Sequence, residues 1–261
     1  MRHFFLTSAV VLAFSIPALA IDVPEGGDAL YHQLRSSERT VIAQYEGRGQ
    51  RGAAFTSQAP LRGQLPSRFE VPTDAYLPSE SLRPGASYLL FLSEERDGLR
   101  LPTGPSALRP FDLRDAPALR EAIARYEEGA KDKAVLKKYA LELLGSPVAF
   151  LQYSAAADLT RLGLLGKDEI PLVGRLLTGG QPVEPQARQL LLRHLGRLEA
   201  KEYATYLEKV LGSREEPVSA RVAALDGLRF MGNVEAIRRQ GNAILASQSP
   251  KLIRRTQEAL Q

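Results

Sequence analysis

The spacing of apolar residues changes once along the chain. Up to about residue 114, apolar residues fall in short runs broken by Pro, Gly and Ser, the pattern of β-strands. From Asp115 onward they recur every third or fourth position among Ala, Leu, Arg and Glu, which is the helical repeat. The switch falls at Arg109–Asp115. Pro110 gives a stop there, and Asp115-Ala116-Pro117 reads as an N-cap with proline in the first helical turn. In the first part, Asp28–Arg35 reads as a short helix. Thr40–Tyr45, Ala53–Ala59 and Arg68–Val71 read as strands, and Ser87–Leu92 as a strand apolar enough to be buried on both faces. Asp97-Gly98, set between apolar runs, predicts a hairpin turn into Leu99–Leu101, because such a turn needs positive φ.

The helical part repeats itself. Gln152–Gly163, Arg188–Glu199, Arg221–Gly232 and a shortened Ile253–Leu260 align, with first positions 36, 33 and 32 residues apart. Ala155, Leu191, Ala224 and Thr256 share one slot; Leu159, Leu195, Leu228 and Leu260 share the next, and Leu162, Leu198 and Met231 follow. A short amphipathic helix precedes each segment: Lys133–Leu144, Glu169–Leu177, Ala200–Leu211 and Val234–Leu245. A small residue in the tight slot lets helices approach, and leucines at three- and four-residue spacing make the seam. One such pair cannot bury its apolar face alone, whereas stacked pairs can. Ala220-Arg221-Val222-Ala223-Ala224-Leu225-Asp226-Gly227-Leu228-Arg229-Phe230-Met231-Gly232 resembles HEAT or armadillo-type repeats. That resemblance implies an α-solenoid of about four helix pairs.

The strand-rich part carries a second resemblance. Pro60-Leu61-Arg62-Gly63-Gln64-Leu65-Pro66, then Phe69-Glu70-Val71, then Leu82-Arg83-Pro84-Gly85 leading into Tyr88–Leu92, with Ser106 after the hairpin, follow in order over Thr40–Phe111. This is similar to the netrin-like, OB-type β-barrel modules of exported bacterial proteins and, distantly, of tissue inhibitors of metalloproteinases. In the inhibitors an N-terminal cysteine grips the protease zinc. The chain has no cysteine, so that activity does not carry over. The expected fold class is thus α+β multidomain: a small OB/netrin-like β-barrel over 21–114, then a HEAT-like solenoid over 115–261.

The N-terminus adds a compartment. Met1-Arg2-His3, an apolar run from Phe4 to Ile16 and Ala18-Leu19-Ala20 make a signal peptide over 1–20, with Ile21 as the new start. The run is shorter than the roughly 20 residues that span a bilayer. The chain is therefore expected to be exported, periplasmic or extracellular, with no membrane span. Without cysteine it has no disulfides to lean on, so packing alone must hold it. Net charge is +4, and +3 once Arg2 is removed with the leader, far from the basic excess of a nucleic-acid binder.

Little in the sequence offers catalysis. Outside the leader the histidines are His32 and His194, too few for a zinc site, and each reads as an exposed residue. Ser106 follows Gly104-Pro105 in a turn-rich stretch with no Gly-x-Ser-x-Gly around it, and Gly47–Gly52 lacks the Lys-Ser/Thr of a phosphate loop. The expectation is no enzyme, no metal and no cofactor. What remains is a polar stripe facing away from the repeat seam: Tyr153 and Arg161, then Gln189, Arg193 and Arg197, then Asp226 and Arg229. Guanidinium forks pair with carboxylates, so the stripe suits an acidic protein partner. Arg188 and Arg221, in the repeat slot itself, are expected to tie neighbouring repeats together through acids such as Asp158 and Asp226. The function class is an adaptor or scaffold. The alternatives are a regulator or inhibitor of an exported hydrolase, or a hydrolase built on paired carboxylates.

Overall fold

The computed structural model describes residues 29–72, 82–96 and 98–261. The expected leader, its cleavage site and Asp97 of the hairpin lie outside these residues. The chain is α+β: a curled antiparallel sheet followed by a helical part.

The strands are β1 (Arg39–Arg48), β2 (Gly52–Arg62), β3 (Arg68–Pro72), β4 (Ser87–Glu95), β5 (Gly98–Arg100) and β6 (Leu108–Pro110). They lie in the order β3-β2-β1-β4-β5, and β6 pairs with the start of β4. Register shifts between β1 and β2 at Thr40/Val41, Ile42/Ala43 and Tyr45/Gly47 bend this longest pair, as bulges do. The pair curls the sheet into a half-barrel. Gly47–Gly52 spans the β1–β2 connection, whose turn is residues 49–51, and Glu70 of β3 accepts the N–H groups of Gln50 and Arg51 there, at 3.2 and 2.7 Å. At the β4–β5 turn Gly98 takes φ +122°, which a side chain would resist.

Alternate residues of the strands serve two cores. Val41, Ala43 and Tyr45 of β1 and Tyr88, Leu90 and Leu92 of β4 pack inside the curl with Phe55 and Phe69. Ile42, Leu89 and Phe91 face the other way, into a core shared with the helices. That is the two-residue period of a strand buried on both faces.

The helices are α1 (Leu30–Ser36), α2 (Ala116–Gly129), α3 (Lys133–Leu143), α4 (Ala149–Arg161), α5 (Ile170–Thr178), α6 (Pro185–Arg197), α7 (Ala204–Gly212), α8 (Val218–Phe230), α9 (Val234–Arg239), α10 (Gly241–Leu245) and α11 (Pro250–Leu260). Side-chain caps start several of them: Asp132 on Ala134, Glu184 on Ala187, Asn233 on Ala236 and Ser249 on Leu252. At the junction the capping acid is Asp112 rather than Asp115. Asp112 accepts from Arg114 N at the head of a 3-10 turn (Leu113–Asp115), and that turn runs straight into α2.

Helix α3 packs on α4, α5 on α6 and α7 on α8, while α4, α6, α8 and α11 touch in sequence as an inner row. Leu159, Leu195 and Leu228 are buried along this row. Other slot residues are not: Leu198 and Met231 are half-buried, and Leu260 and Leu162 are 38% and 37% exposed. A close backbone approach lies outside the expected small slot. A Cβ placed on Gly196 would stand 2.3 Å from both the Cα and the carbonyl oxygen of Gly227, so α6 and α8 meet backbone to backbone.

Candidate functional site

The expected stripe divides when its side chains are placed. Arg161, Arg197 and Arg229 are exposed, and Gln189 and Arg193 are half-buried. Tyr153 is not on an open face. It is 8% exposed and packs with Ala29 and Ala157, because the chain entering α1 lies across α4. Leu30 N donates to Ser154 Oγ at 3.1 Å and Tyr31 N to Asp158 Oδ2 at 3.3 Å, which fixes α1 there. Asp226 is also buried, and its carboxylate takes the Nε–H of Arg193 at 3.0 Å across the α6–α8 seam.

The slot arginines do tie elements together, through other partners than Asp158 and Asp226. Arg188 grips Glu216 with both terminal nitrogens and donates to Tyr206 Oη at 3.3 Å. Tyr206 in turn donates to the Leu177 carbonyl at 2.8 Å. Arg221, 3% exposed, donates to the carbonyls of Leu211 and Ala243 at 2.8 and 3.0 Å. Those carbonyls end α7 and α10, where helices leave acceptors unsatisfied. Burial, and then Arg214, draws the Arg221 pKa down. These residues are structural pins. Asp158 instead sits buried between α1 and α2, beside the Tyr126 phenol, whose pKa is pushed well up by burial and then by that carboxylate.

His194 is a second correction. It is 9% exposed, not a surface residue, and its Nε2 lies 3.3 Å from the Leu165 carbonyl. A carbonyl only accepts, so Nε2 carries the proton and Nδ1 is left without a partner. Burial pulls the imidazole pKa down; Arg197 adds to this and the Leu165 carbonyl opposes it. Ser106 is buried as well: its hydroxyl donates to Thr103 O at 2.9 Å, in a cluster with Gln33. That serine holds a turn in place.

Of the exposed stripe arginines, Arg161 and Arg197 lie at two hollows and Arg229 lines neither. One, of about 120 Å³, lies between α4 and α6 and is lined by Ala157, Thr160, Arg161, Leu190, Arg193, His194 and Arg197. The guanidinium of Arg197 also stands over the Phe230 ring, 5.3 Å from its centroid. The other, of about 440 Å³, lies between α1 and the end of α4. Tyr31, His32, Arg35, Ser36, Asp158, Arg161 and Leu162 line it. Arg161 belongs to both. Among the described residues no group of three His, Asp or Glu side chains converges as a metal site, and no helix is long and apolar enough to cross a membrane.

Tyr31, His32 and Arg35 were not foreseen as site residues. The sequence marks the α1 helix but not its docking on α4, a contact made across more than a hundred residues. No protein-family model, curated protein or solved structure matches the chain.

Proposed function

We propose that the chain is an exported, non-catalytic adaptor that holds an acidic protein partner on the arginine-bearing side of α4, α6 and α8. In this reading residues 115–261 form a HEAT-like α-solenoid and 21–114 a netrin-like, OB-type module. The ordered packing of α3/α4, α5/α6 and α7/α8 supports the first. The strand order, together with the approach of β3 to β5, supports the second.

The observation that carries the reading is the convergence of Arg161, Arg193 and Arg197, from two helices, on one hollow. Guanidinium groups so placed pair bidentately with carboxylates. Arg193 is a poor probe of this role, since removing it strands a buried Asp226 carboxylate and costs stability. Arg197 is exposed, and its loss should cost under about 1 kcal/mol of folding. Pull-downs from envelope and culture-fluid extracts test the proposal. Arg197→Ala, melting as the parent does, should lose about tenfold or more of the captured partner. Undiminished capture by this well-folded variant refutes the arginine face.

A further inference from the structure

We propose that the two hollows flanking Arg161 are one continuous groove for an extended acidic peptide segment, running from α1 across α4 to α6. This deepens the adaptor reading and rests on it. It assigns to the N-terminal helix a share in gripping the partner.

Three observations carry the groove. Arg161 forms part of the wall of both hollows, so the two adjoin at that side chain. The charged lining is mainly basic: Arg35, Arg161, Arg193 and Arg197 line it with one carboxylate, Asp158, while Asp226 pairs with Arg193 from behind. A guanidinium carries five N–H donors, more than one carboxylate can take, so an existing ion pair leaves it able to hold a second. The apolar lining is Leu162 and the Tyr31 ring in the larger hollow and Ala157 and Leu190 in the smaller. Guanidinium groups interspersed with aliphatic side chains match a peptide that carries both acidic and aliphatic residues. The Tyr31 ring already has the Arg35 guanidinium over it, which leaves a base-stacking strand less to hold than an acidic peptide. The larger hollow is also of ligand-holding size, within the roughly 300–1,000 Å³ of binding clefts, and the smaller has room for one short side chain.

The site is tested on the full chain by fluorescence anisotropy, with a labelled octapeptide of alternating glutamate and leucine as the probe. Comparators are the same peptide with lysine for glutamate and a single-stranded DNA octamer. Arg35→Gln and Arg161→Gln should each weaken the acidic peptide about tenfold. Arg254→Gln, on α11 with its side chain 73% exposed, should leave binding unchanged. If Arg197→Gln weakens binding but Arg35→Gln does not, the groove stops short of α1; this inference fails and the adaptor face stands. If none of the three weakens it, both fail. Tighter binding of the DNA or the lysine peptide overturns the ligand class. Should Arg161→Gln fail to fold, exposed Arg35, stacked over Tyr31 at 5.8 Å, decides the matter alone.

Discussion

Gly196→Ala adds a single methyl group where two helices already touch. The new Cβ would lie 2.3 Å from Gly227 Cα, 2.3 Å from its oxygen and 2.6 Å from its carbonyl carbon. Carbon contacts settle at roughly 3.5–4.0 Å, so α6 and α8 must part by about an ångström or more. Every obstructing atom is backbone, and no rotamer change relieves it. Overpacking of this kind costs about 1–3 kcal/mol, sometimes more. The intrinsic preference for alanine in helices returns at most about 1 kcal/mol, and less here because Gly196 is the penultimate residue of α6. The net expectation is a loss of about 1–3 kcal/mol, read as a lower urea midpoint at constant m and a melting point lower by roughly 2–4 °C per kcal/mol. Gly241→Ala is the internal control. It opens α10, and nothing lies within 4 Å of its added Cβ. It should be neutral or stabilising by up to about 1 kcal/mol. A Gly196→Ala protein as stable as the parent would show that α6 and α8 do not meet there.

Leu228→Ala empties a fully buried position on the inner row and should cost about 2–5 kcal/mol in the same urea melts; a near-neutral result contradicts its place in the seam. His194, its pKa lowered from the usual 6.5 by burial, should titrate below that value when followed by NMR. Between the two midpoints the unfolded chain binds the proton and the folded one does not, so stability falls as pH drops through about 6.5. His194→Gln should flatten that part of the profile, and a folded-state midpoint at or above 6.5 contradicts the buried, Leu165-bonded imidazole.

The elements were legible wherever local chemistry decides them. Ser87–Leu92 lies within β4 because six consecutive residues of strand-forming character fit a strand buried on both sides. The four aligned segments coincide with α4, α6, α8 and α11 because their leucine spacing is helical. What the sequence hid are placements made over long distances. Tyr153 reads as outward-facing on α4 by phase alone, and it is Ala29, at the start of α1, that packs on it. Arg188 and Arg221 have the tying role that their slot suggests, but their partners sit in the 213–217 loop and at helix ends, which periodicity does not address. His194 has a surface residue's polarity and yet is buried, since one backbone carbonyl suffices to hold a neutral imidazole. The close helix approach at Gly196–Gly227 depends on the crossing point of two helices, a property of neither segment alone.

Helix α4 explains how the proposed groove can draw on α1 as well as on α6. Near its start, Phe150 packs against Phe91 of β4 and Phe111, with ring centroids 6.3 and 6.4 Å away, and Arg109 stands over the same ring at 4.2 Å. In its middle, Ser154 and Asp158 take the backbone N–H groups of α1. At its end, Arg161 lines both hollows. The sheet, the N-terminal helix and the inner row are therefore positioned by one thirteen-residue element. The shared core adds to this, since Ile42 and Leu89 of the sheet belong to the same apolar cluster as Leu119 and Ile123 of α2. Two modules on a loose tether would set Arg35 and Arg161 at varying separations and could not offer a peptide a fixed spacing of guanidinium groups. Packed through α4, they hold those positions in the folded chain, so on the adaptor reading the entropic cost of assembling the site is met in folding rather than in binding.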